Sequence, residues 1–269
     1  MKLKFEKYQG AGNDFIIINN IDMSITLSPE QILKLCDRHF GIGADGLIEL
    51  TRSDESDFAM KFFNSDGKPA NMCGNGGRCI AKYAFDHKIA GKNMKFSADD
   101  GIHEACIIDD ENVRIKMIDV NGITIFDDGM WTNTGVPHFV KFVDDTDQID
   151  IDTEGRKLAD DIRFAPERTN VNFIDNKNGF RIRTYERGVE GETLACGTGN
   201  VATALCINTK YGETSPITIK TKASRLKVLF EKNNNGYNNI WLEGPAIKIF
   251  EGETDKTILI TDKKANIYQ

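Results

Sequence analysis

The stretch Cys73-Gly74-Asn75-Gly76 occurs a second time, in altered form, as Cys196-Gly197-Thr198-Gly199. In each copy a cysteine stands directly before a Gly-x-Gly turn, and a run of small residues that suits a helix follows. A thiol at the N-terminus of a helix lies near backbone N–H groups and the positive end of the helix dipole, which favour its thiolate form. The glycines allow close approach of a ligand, and the amides favour an anion such as a carboxylate. Two such elements predict a duplicated half and two thiols that face one pocket.

The repeat extends upstream of both cysteines. Before the first copy, the apolar run from Met60 to Phe63 ends in Asn64-Ser65-Asp66-Gly67, which is typical of a strand followed by a turn. Before the second copy, apolar and basic residues alternate from Phe180 to Thr184, and the strand ends at Tyr185-Glu186-Arg187-Gly188. Strand, polar strand end, loop, Cys-Gly-x-Gly and helix therefore occur twice in the same order.

Length and charge limit the class of protein. The chain has 269 residues, of which 40% are hydrophobic, and this is enough for a core and suits two domains. A net charge of −7 disfavours nucleic acid as a partner, because a phosphate backbone requires a basic face, and a small polar metabolite fits better. The sequence contains no signal-peptide core and no apolar run of the roughly 20 residues that a membrane helix needs. We therefore expect a soluble, cytoplasmic protein without a membrane partner.

The cysteines and histidines do not form a metal-binding pattern. No Cys-x-x-Cys pair is present, and the four histidines are not spaced as zinc ligands alongside the six cysteines. In a reducing cytosol, and in a chain of this length, we expect free thiols rather than disulfide bonds. Metal is therefore not expected, and four cysteines are interpreted as structural: Cys36, Cys79, Cys106 and Cys206.

Two polar positions are ambiguous on sequence grounds. Gly10-Ala11-Gly12-Asn13-Asp14 bends the chain before a buried strand, so Asn13 could project into a pocket, but a hairpin turn with a polar tip is the simpler interpretation. His138 follows Pro137 at the start of a strand, where a hydrogen-bonded structural histidine is also the simpler interpretation.

The remaining pattern predicts an α+β fold with few helices. Ser28-Pro29-Glu30-Gln31 is a capped helix start, and Gly41 is predicted to end that helix. Many short strands favour two pseudo-symmetric halves, each a curved or barrel-like sheet around the helix that follows its cysteine. We place the halves at residues 1–118 and 119–269, with the last strand, Thr257 to Ile260, allowed to return to the first half. The predicted apolar face of the first helix comprises Ile32, Leu33, Cys36 and Phe40.

Two equivalently placed thiols favour a symmetric reaction at one carbon. Removal of a proton from one face and delivery of a proton to the other requires two acid/base groups, one present as thiolate and one as thiol. That reaction is a racemisation or an epimerisation. Amides of the glycine turns would hold the substrate carboxylate and stabilise the charge that develops when the carbon loses its proton.

Six motifs stand out along the chain: GAGNDF (10–15), FNSDG (63–67), MCGNGGRC (72–79), PERTN (166–170), ERG (186–188) and ACGTG (195–199). They closely resemble those of the diaminopimelate epimerase family, in the family's order and spacing and over almost the whole chain. The resemblance implies cofactor-independent, PLP-independent interconversion of L,L- and meso-diaminopimelate, in the synthesis of lysine and peptidoglycan precursors. The sequence does not give the oligomeric state, for which a homodimer is the expectation.

The resemblance also implies roles for individual residues. Cys73 matches the proton donor and Cys196 the proton acceptor in the direction from L,L to meso, and His138 and Glu186 match the residues that support the thiols. Arg187 suits bidentate capture of the distal carboxylate. The implied substrate contacts are Asn13, Asn64, Gly74, Asn75, Asn170, Glu186, Arg187, Gly197 and Thr198.

The chain departs from the family pattern at three places. Many members have glutamine in place of Gly46 and asparagine in place of Val136, so neither side-chain contact can be made here. The link between Glu186 and Cys196 carries an extra residue at Val189-Glu190.

Two other functions stay open. A proline or hydroxyproline racemase also uses two cysteines, but those enzymes tend to have histidine where this chain has Asn75, and they need no residue like Arg187. A thiol-redox protein would cycle Cys73 and Cys196 through a disulfide, and it would catalyse no hydrogen exchange at a substrate carbon.

Overall fold

Residues 2–254 are described in the computed structural model, where the chain forms two structural units. Within the described residues, unit 1 comprises residues 2–113 and 246–254, and unit 2 comprises Arg114–Pro245. We predicted a boundary between residues 118 and 119, and the units divide between Val113 and Arg114. The predicted strand from Thr257 to Ile260 lies outside the described residues.

Unit 1 contains a mixed sheet and two helices. Its first strands form an antiparallel hairpin whose turn includes Ala11 and Gly12, both at positive φ. Its elements in chain order are β1 (Leu3–Gly10), β2 (Asn13–Asn19), α1 (Pro29–Cys36), β3 (Gly46–Thr51), β4 (Phe58–Asn64), β5 (Pro69–Ala70), α2 (Gly74–Asp86), β6 (Asn93–Ala98) and β7 (Gly101–Ile107).

Unit 2 also contains two α-helices, has more strands than unit 1, and is preceded by a strand that crosses the division between the units. The elements are β8 (Asn112–Lys116), β9 (Thr124–Phe126), β10 (Gly129–Asn133), β11 (Pro137–Phe142), α3 (Ile151–Ala159), β12 (Asn170–Asp175), β13 (Arg181–Glu186), β14 (Gly191–Thr193), α4 (Gly197–Tyr211), β15 (Ile217–Lys220), β16 (Arg225–Asn233) and β17 (Gly236–Pro245). Two short 3₁₀ helices, Thr146–Gln148 and Ile162–Phe164, flank α3. The last described strand, β18 (Ile247–Thr254), pairs with β1 in unit 1.

The two units share one connectivity. In unit 1, β1–β2 is antiparallel, β2–β3 parallel, β3–β4 and β4–β5 antiparallel, β4–β6 parallel and β6–β7 antiparallel. The strands β10 to β16 of unit 2 repeat this series of pairings in the same order. In both units one helix joins the two parallel neighbours, and a longer helix follows the short strand. This confirms the predicted α+β class with two similarly built halves.

The longer helix is the centre of each unit. In unit 1, α2 packs on β1, β2, β3, β7 and β18, and in unit 2, α4 packs on β10, β11, β12, β15, β16 and β17. Residues 199–207 of α4 are buried without interruption, which is the pattern of a helix surrounded by its own sheet. Both helices begin directly after their cysteines, so the Gly-x-Gly segments form the first helical turn rather than a separate turn.

The helix α1 starts as predicted and ends earlier. Ser28 and Gln31 form the capping box, with Pro29 at the first helical position. The helix ends at Cys36, not at Gly41, because the Asp37 carboxylate accepts the N–H groups of His39 and Phe40, which competes with helical bonding. Two residues of the predicted apolar face are exposed: Phe40, at 81%, lies beyond the end of the helix, and Leu33, at 52%, lies within it, where Leu35 is buried instead.

Candidate active site

Cys73 is the N-cap of α2. Its backbone is extended, and its Sγ accepts a hydrogen bond from the Gly76 N–H at 3.2 Å. A Cβ on Gly76 would lie 3.3 Å from the Cys73 Sγ, so glycine leaves room for the sulfur beside the helix. The thiol is half-buried. The geometry therefore supplies what the sequence predicted for Cys73, a sulfur bound by an amide of a first helical turn.

The helix start in unit 1 is joined to the start of β2. The Asn75 side chain is buried, and its amide donates to Asn13 Oδ1 at 3.4 Å. Asn13 in turn donates to the Asp45 carboxylate at 2.6 Å, and Arg38 binds both Asp45 and Asp14. The Arg38 guanidinium holds the pKa of Asp14 well below its usual value, against the effect of burial. Two predicted substrate contacts, Asn13 and Asn75, thus belong to one hydrogen-bonded network.

Asn64 and Gly46 lie at the same edge of the sheet. Gly46, the first residue of β3, pairs directly with Asn64, the last residue of β4, whose side chain is exposed. A Cβ at position 46 would lie 2.6 Å from the Phe62 ring and 2.7 Å from the Phe63 carbonyl oxygen. The glutamine that many family members carry there therefore has no space in this chain, and the predicted loss of that contact follows from packing.

Cys196 is the N-cap of α4, in the place that corresponds to Cys73. It is buried, and its Sγ lies 3.5 Å from the Thr198 hydroxyl. The same hydroxyl oxygen is 2.9 Å from His138 Nε2, and the amide of Asn172 lies 3.1 Å from His138 Nδ1. A chain of hydrogen bonds thus runs from Asn172 of β12 through His138 and Thr198 to the sulfur of Cys196.

The direction of this chain follows from Asn172. Its Oδ1 accepts the Thr184 hydroxyl at 3.0 Å, so its amide nitrogen is the group that donates to His138 Nδ1. His138 therefore carries its proton on Nε2 and donates to Thr198, whose own hydroxyl proton is left for the Cys196 sulfur. Burial, with a smaller contribution from Arg187, lowers the pKa of His138 to about 3. The imidazole is neutral at physiological pH and acts here as a hydrogen-bond donor.

The remaining predicted residues of unit 2 meet at the edge where β12 begins and β13 ends. Asn170 is buried, and its Oδ1 accepts the backbone N–H of Arg187 at 2.9 Å. Glu186 is half-buried, and desolvation raises its pKa. The Arg187 guanidinium donates to the Glu167 carbonyl and lines a cavity of about 360 Å³ together with Trp131, Phe164 and Arg168.

The loop after Glu186 is held by the residue that we noted as extra. Glu190 binds Arg168 through both carboxylate oxygens, at 2.7 and 2.9 Å, and accepts the Tyr185 hydroxyl and the Gly188 N–H, each at 2.9 Å. These bonds keep the pKa of Glu190 well below its usual value. The insertion therefore closes a tight loop that presents Glu186 and Arg187.

The comparisons with known proteins decide the family. The sequence model of the family described as diaminopimelate epimerase matches residues 5–121 and 130–249. The chain belongs to the diaminopimelate epimerase family. This confirms the resemblance, and with it the prediction that the protein is an isomerase, an amino-acid epimerase.

Relatives of this family match nearly the whole chain. The diaminopimelate epimerase of Flavobacterium psychrophilum is 43% identical over 256 residues, which cover 93% of this chain and 99% of the relative. That of Hydrogenobaculum sp. is 43% identical over 270 residues, covering 91% and 96%. A further relative, from Chlorobaculum tepidum, is 40% identical and covers 90% and 98%.

Solved structures share the fold at low sequence identity. A phenazine biosynthesis protein of the PhzF family from Bacillus anthracis has a TM-score of 0.74 at 13% identity, with 95% of this chain and 99% of that chain covered. A probable proline racemase from Agrobacterium radiobacter K84 has a TM-score of 0.65 at 13% identity, with 94% and 93% covered. These similarities concern the fold alone. Among residues 2–254, no helix has the length and apolar character required to span a membrane.

Sequence reasoning missed several supporting residues. The sequence pattern assigns no role to Asn172, which contacts His138, or to Thr134, whose hydroxyl donates to the Thr198 carbonyl at 3.0 Å. Arg78 was quoted only as part of a motif, yet it is fully buried in α2. The motif signal for Arg78 was present, but its burial depends on packing that no local pattern reveals.

Proposed function

We propose that this member of the family interconverts L,L- and meso-diaminopimelate and that Cys73 and Cys196 are its acid/base pair. The observation that carries the proposal is the equivalence of the two thiols: each is the N-cap of the central helix of its unit. The names of the relatives support diaminopimelate as the substrate, and the geometry within each unit supports acid/base chemistry at its cysteine.

The reaction is a proton exchange at one carbon. One sulfur begins as thiolate and takes the α-proton, and the electron pair of the broken C–H bond stays on the substrate as an enediolate-like anion. The other sulfur begins as thiol and delivers its own proton to the opposite face. From L,L to meso, Cys196 accepts and Cys73 donates, so each turnover exchanges the two protonation states of the pair.

The surroundings of Cys196 support a thiolate. The Thr198 oxygen accepts a hydrogen bond from His138 Nε2–H, so its hydroxyl hydrogen can be donated in a hydrogen bond to a negatively charged sulfur. Because His138 stays neutral, it orders this chain without itself taking the substrate proton. Glu186, whose raised pKa eases protonation of its carboxyl, lies at the edge of the same unit as a supporting group.

The substrate contacts follow the charges of diaminopimelate. We assign the reacting carboxylate to the first-turn amides at Gly74, Asn75, Gly197 and Thr198, since helix N-termini favour anions. Arg187 is assigned the distal carboxylate, and Asn13, Asn64 and Asn170 are assigned to polar groups of the substrate. A cytoplasmic location, a place in lysine and peptidoglycan precursor synthesis, and a homodimer remain part of this proposal.

Hydrogen exchange in heavy water tests the function. The reduced protein is incubated with L,L-diaminopimelate in deuterium oxide without pyridoxal phosphate, and product is analysed by chiral chromatography and mass spectrometry. We expect meso product that carries one deuterium at the inverted α-carbon. A thiol-redox protein would give no label, and a proline racemase would label proline instead. Either result would overturn the proposal, and Cys106→Ser serves as a control that should label normally.

A further inference from the structure

Arg78 is a buried charge on the helix that Cys73 begins. Its side chain is fully buried, and it donates to the Gly74 carbonyl at 3.2 Å and to Asn75 Oδ1 at 2.8 Å. Arginine is almost never fully buried without a specific partner, because removal of a guanidinium from water is costly. Burial lowers the pKa of Arg78, but arginine remains protonated at any physiological pH. A permanent positive charge is therefore bound to the first turn of α2.

This charge and the sulfur of Cys73 contact the same helical turn: the guanidinium binds the carbonyl of Gly74, the residue after Cys73, and the sulfur accepts the N–H of Gly76. Burial lowers the pKa of Arg78, and attraction to the ionised forms of Cys79 and then of Cys73 partly offsets this effect; each attraction is mutual. The hydrogen bond from Arg78 to Asn75 Oδ1 also fixes the Asn75 side chain, whose amide donates to Asn13 at the start of β2. At the corresponding position of α4 stands Val201, which is buried and uncharged. Of the two helices that begin at a cysteine, only α2 has a buried cation at this position.

We propose that Arg78 is a positioning residue for Cys73: its buried guanidinium fixes Asn75 and the first turn of α2, and it stabilises the thiolate that remains when Cys73 gives up its proton. The second part rests on the proposed acid/base function, since it assigns a purpose to the thiolate. The first part does not. In a low-dielectric site, a cation close to a thiol stabilises the thiolate and lowers the pKa of the thiol by about 1–3.

Other charged groups near α2 do not replace Arg78. Those linked to Asn75 through Asn13 are two cations and two carboxylates that pair with one another: Lys7, Arg38, Asp14 and Asp45. Groups of β1 and β18 bind at the other end of the helix, around Asp86 and His87: Glu6, Tyr8 and Lys248. Glu49 of β3 is held by Asn20. Burial keeps Cys79 a thiol by raising its pKa, and apolar atoms of Ile48 and Met60 adjoin Gly76.

Alkylation of individual cysteines tests the proposal without any substrate. The reduced protein is treated briefly with iodoacetamide at a series of pH values; the thiolate attacks the methylene carbon, and iodide leaves. Peptide mass spectrometry then gives the pH of half-maximal alkylation for Cys73 and, in the same sample, for Cys196 as an internal control. Wild type is compared with Arg78→Gln and Arg78→Lys, and circular dichroism establishes that each variant is folded.

We expect the half-maximal pH of Cys73 to rise by about 1 unit or more in Arg78→Gln, with Cys196 unmoved, and to return toward wild type in Arg78→Lys. An unchanged Cys73 profile in folded Arg78→Gln would overturn the proposal. If the glutamine variant does not fold, Arg78→Lys decides: a profile close to wild type supports the proposal, and a full-unit rise despite the retained cation contradicts it. Because no turnover is involved, failure here is distinct from failure of the epimerase function.

Discussion

The starts of α2 and α4 have nearly the same backbone and different side-chain surroundings. Both N-cap cysteines are extended, with φ/ψ of −99°/145° at Cys73 and −106°/116° at Cys196. The sulfur of Cys73 accepts a hydrogen bond from a backbone N–H and lies on a helix that contains the buried cation Arg78. The sulfur of Cys196 lies beside the Thr198 hydroxyl, which accepts a hydrogen bond from the neutral imidazole of His138. One duplicated scaffold thus places two thiols alike and supports them by different means.

The difference extends to the strands that start beside each helix. In unit 1 the second helical residue, Asn75, binds Asn13 at the start of β2; in unit 2 the second helical residue, Thr198, binds His138 near the start of β11. Gly46 begins β3, and Asn170 begins the corresponding strand β12. Backbone connectivity therefore survives duplication, while polar side chains at equivalent positions diverge.

Removal of either sulfur should have the largest effect. We expect Cys73→Ala and Cys196→Ala each to lower kcat by at least about 10³-fold with the fold intact, since acid/base catalysis contributes 10²–10⁴-fold at one group and both groups act in every turnover. Chiral chromatography of the product measures this effect. If either variant kept more than a small fraction of turnover, the proposal that both thiols act as acid/base groups would be wrong.

Matched controls are the structural cysteines. Cys106→Ser should keep near-normal turnover. Burial raises the pKa of Cys36 to about 12 and also raises the pKa values of Cys79 and Cys206, so these thiols have no acid/base role. Their alanine variants should lose stability but not kcat in the folded fraction.

The neutral histidine gives unit 2 an acid sensitivity. The pKa of His138 is about 3 in the folded protein and ~6.5 in the unfolded chain, so between these values the unfolded state binds the extra proton. His138 therefore contributes stability above pH ~6.5 that is lost as pH falls toward 3. We expect His138→Gln to lose less unfolding free energy than wild type between pH 7 and pH 4, by on the order of 1–3 kcal/mol.

Urea unfolding at the two pH values measures this difference. His39→Gln, a change at an exposed histidine, should behave as wild type. Equal acid sensitivity of wild type and His138→Gln would contradict the assignment of a buried neutral imidazole.

The donor chain at Cys196 can be cut without removal of the sulfur. Thr198→Val keeps the shape of the side chain but removes the hydroxyl between His138 and Cys196. We expect kcat to fall by about 10–100-fold, because a hydrogen bond to a charged group is worth about 1.5–3 kcal/mol. Steady-state kinetics measure the change.

Thr203→Val on the same helix is the control for Thr198→Val. Within the described residues its buried hydroxyl has no hydrogen-bond partner, so its loss should leave kcat unchanged and stability equal or higher. A Thr198→Val enzyme with wild-type kcat would show that the chain from His138 does not act on Cys196.

The surroundings of Gly46 leave no space for a side chain. Gly46→Gln should reduce the free energy of unfolding by about 1–3 kcal/mol, because its Cβ would meet the Phe62 ring and the Phe63 carbonyl. Gly91→Ala, where a Cβ meets only one atom at 3.9 Å, should change stability by less than ~1 kcal/mol. Denaturant unfolding of both variants measures the difference. A stable Gly46→Gln protein would mean that β3 adapts more readily than its packing indicates.

The smallest effect is expected at the loop between β13 and β14. Glu190→Gln weakens the pairing with Arg168 and thus the loop that presents Arg187, so we expect KM to rise by about 3–10-fold with little change in kcat. The exposed Glu213→Gln is the control and should change neither constant. If Glu190→Gln lowered kcat and left KM unchanged, the loop would act on the chemistry rather than on substrate binding.

Local sequence pattern was sufficient for much of the fold. The capping box of α1, the strand before each cysteine and the repeated order of elements all depend on neighbours in the chain, and each was predicted from such neighbours. The end of α1 was predicted wrongly, since a side chain at Asp37 took the amides that a longer helix would have used. Short-range competition of this kind leaves only a weak trace in composition.

By itself, the sequence determined that two cysteines begin two equivalent helices, because the Cys-Gly-x-Gly motif and its upstream strand are local features that occur twice. Only the tertiary structure decided how each sulfur is supported. Arg78, Asn172 and Glu190 acquire their roles through burial and through partners on other elements, where desolvation and distance set the strength of each interaction. Those quantities depend on packing in three dimensions, which the order of residues along one strand or helix does not contain.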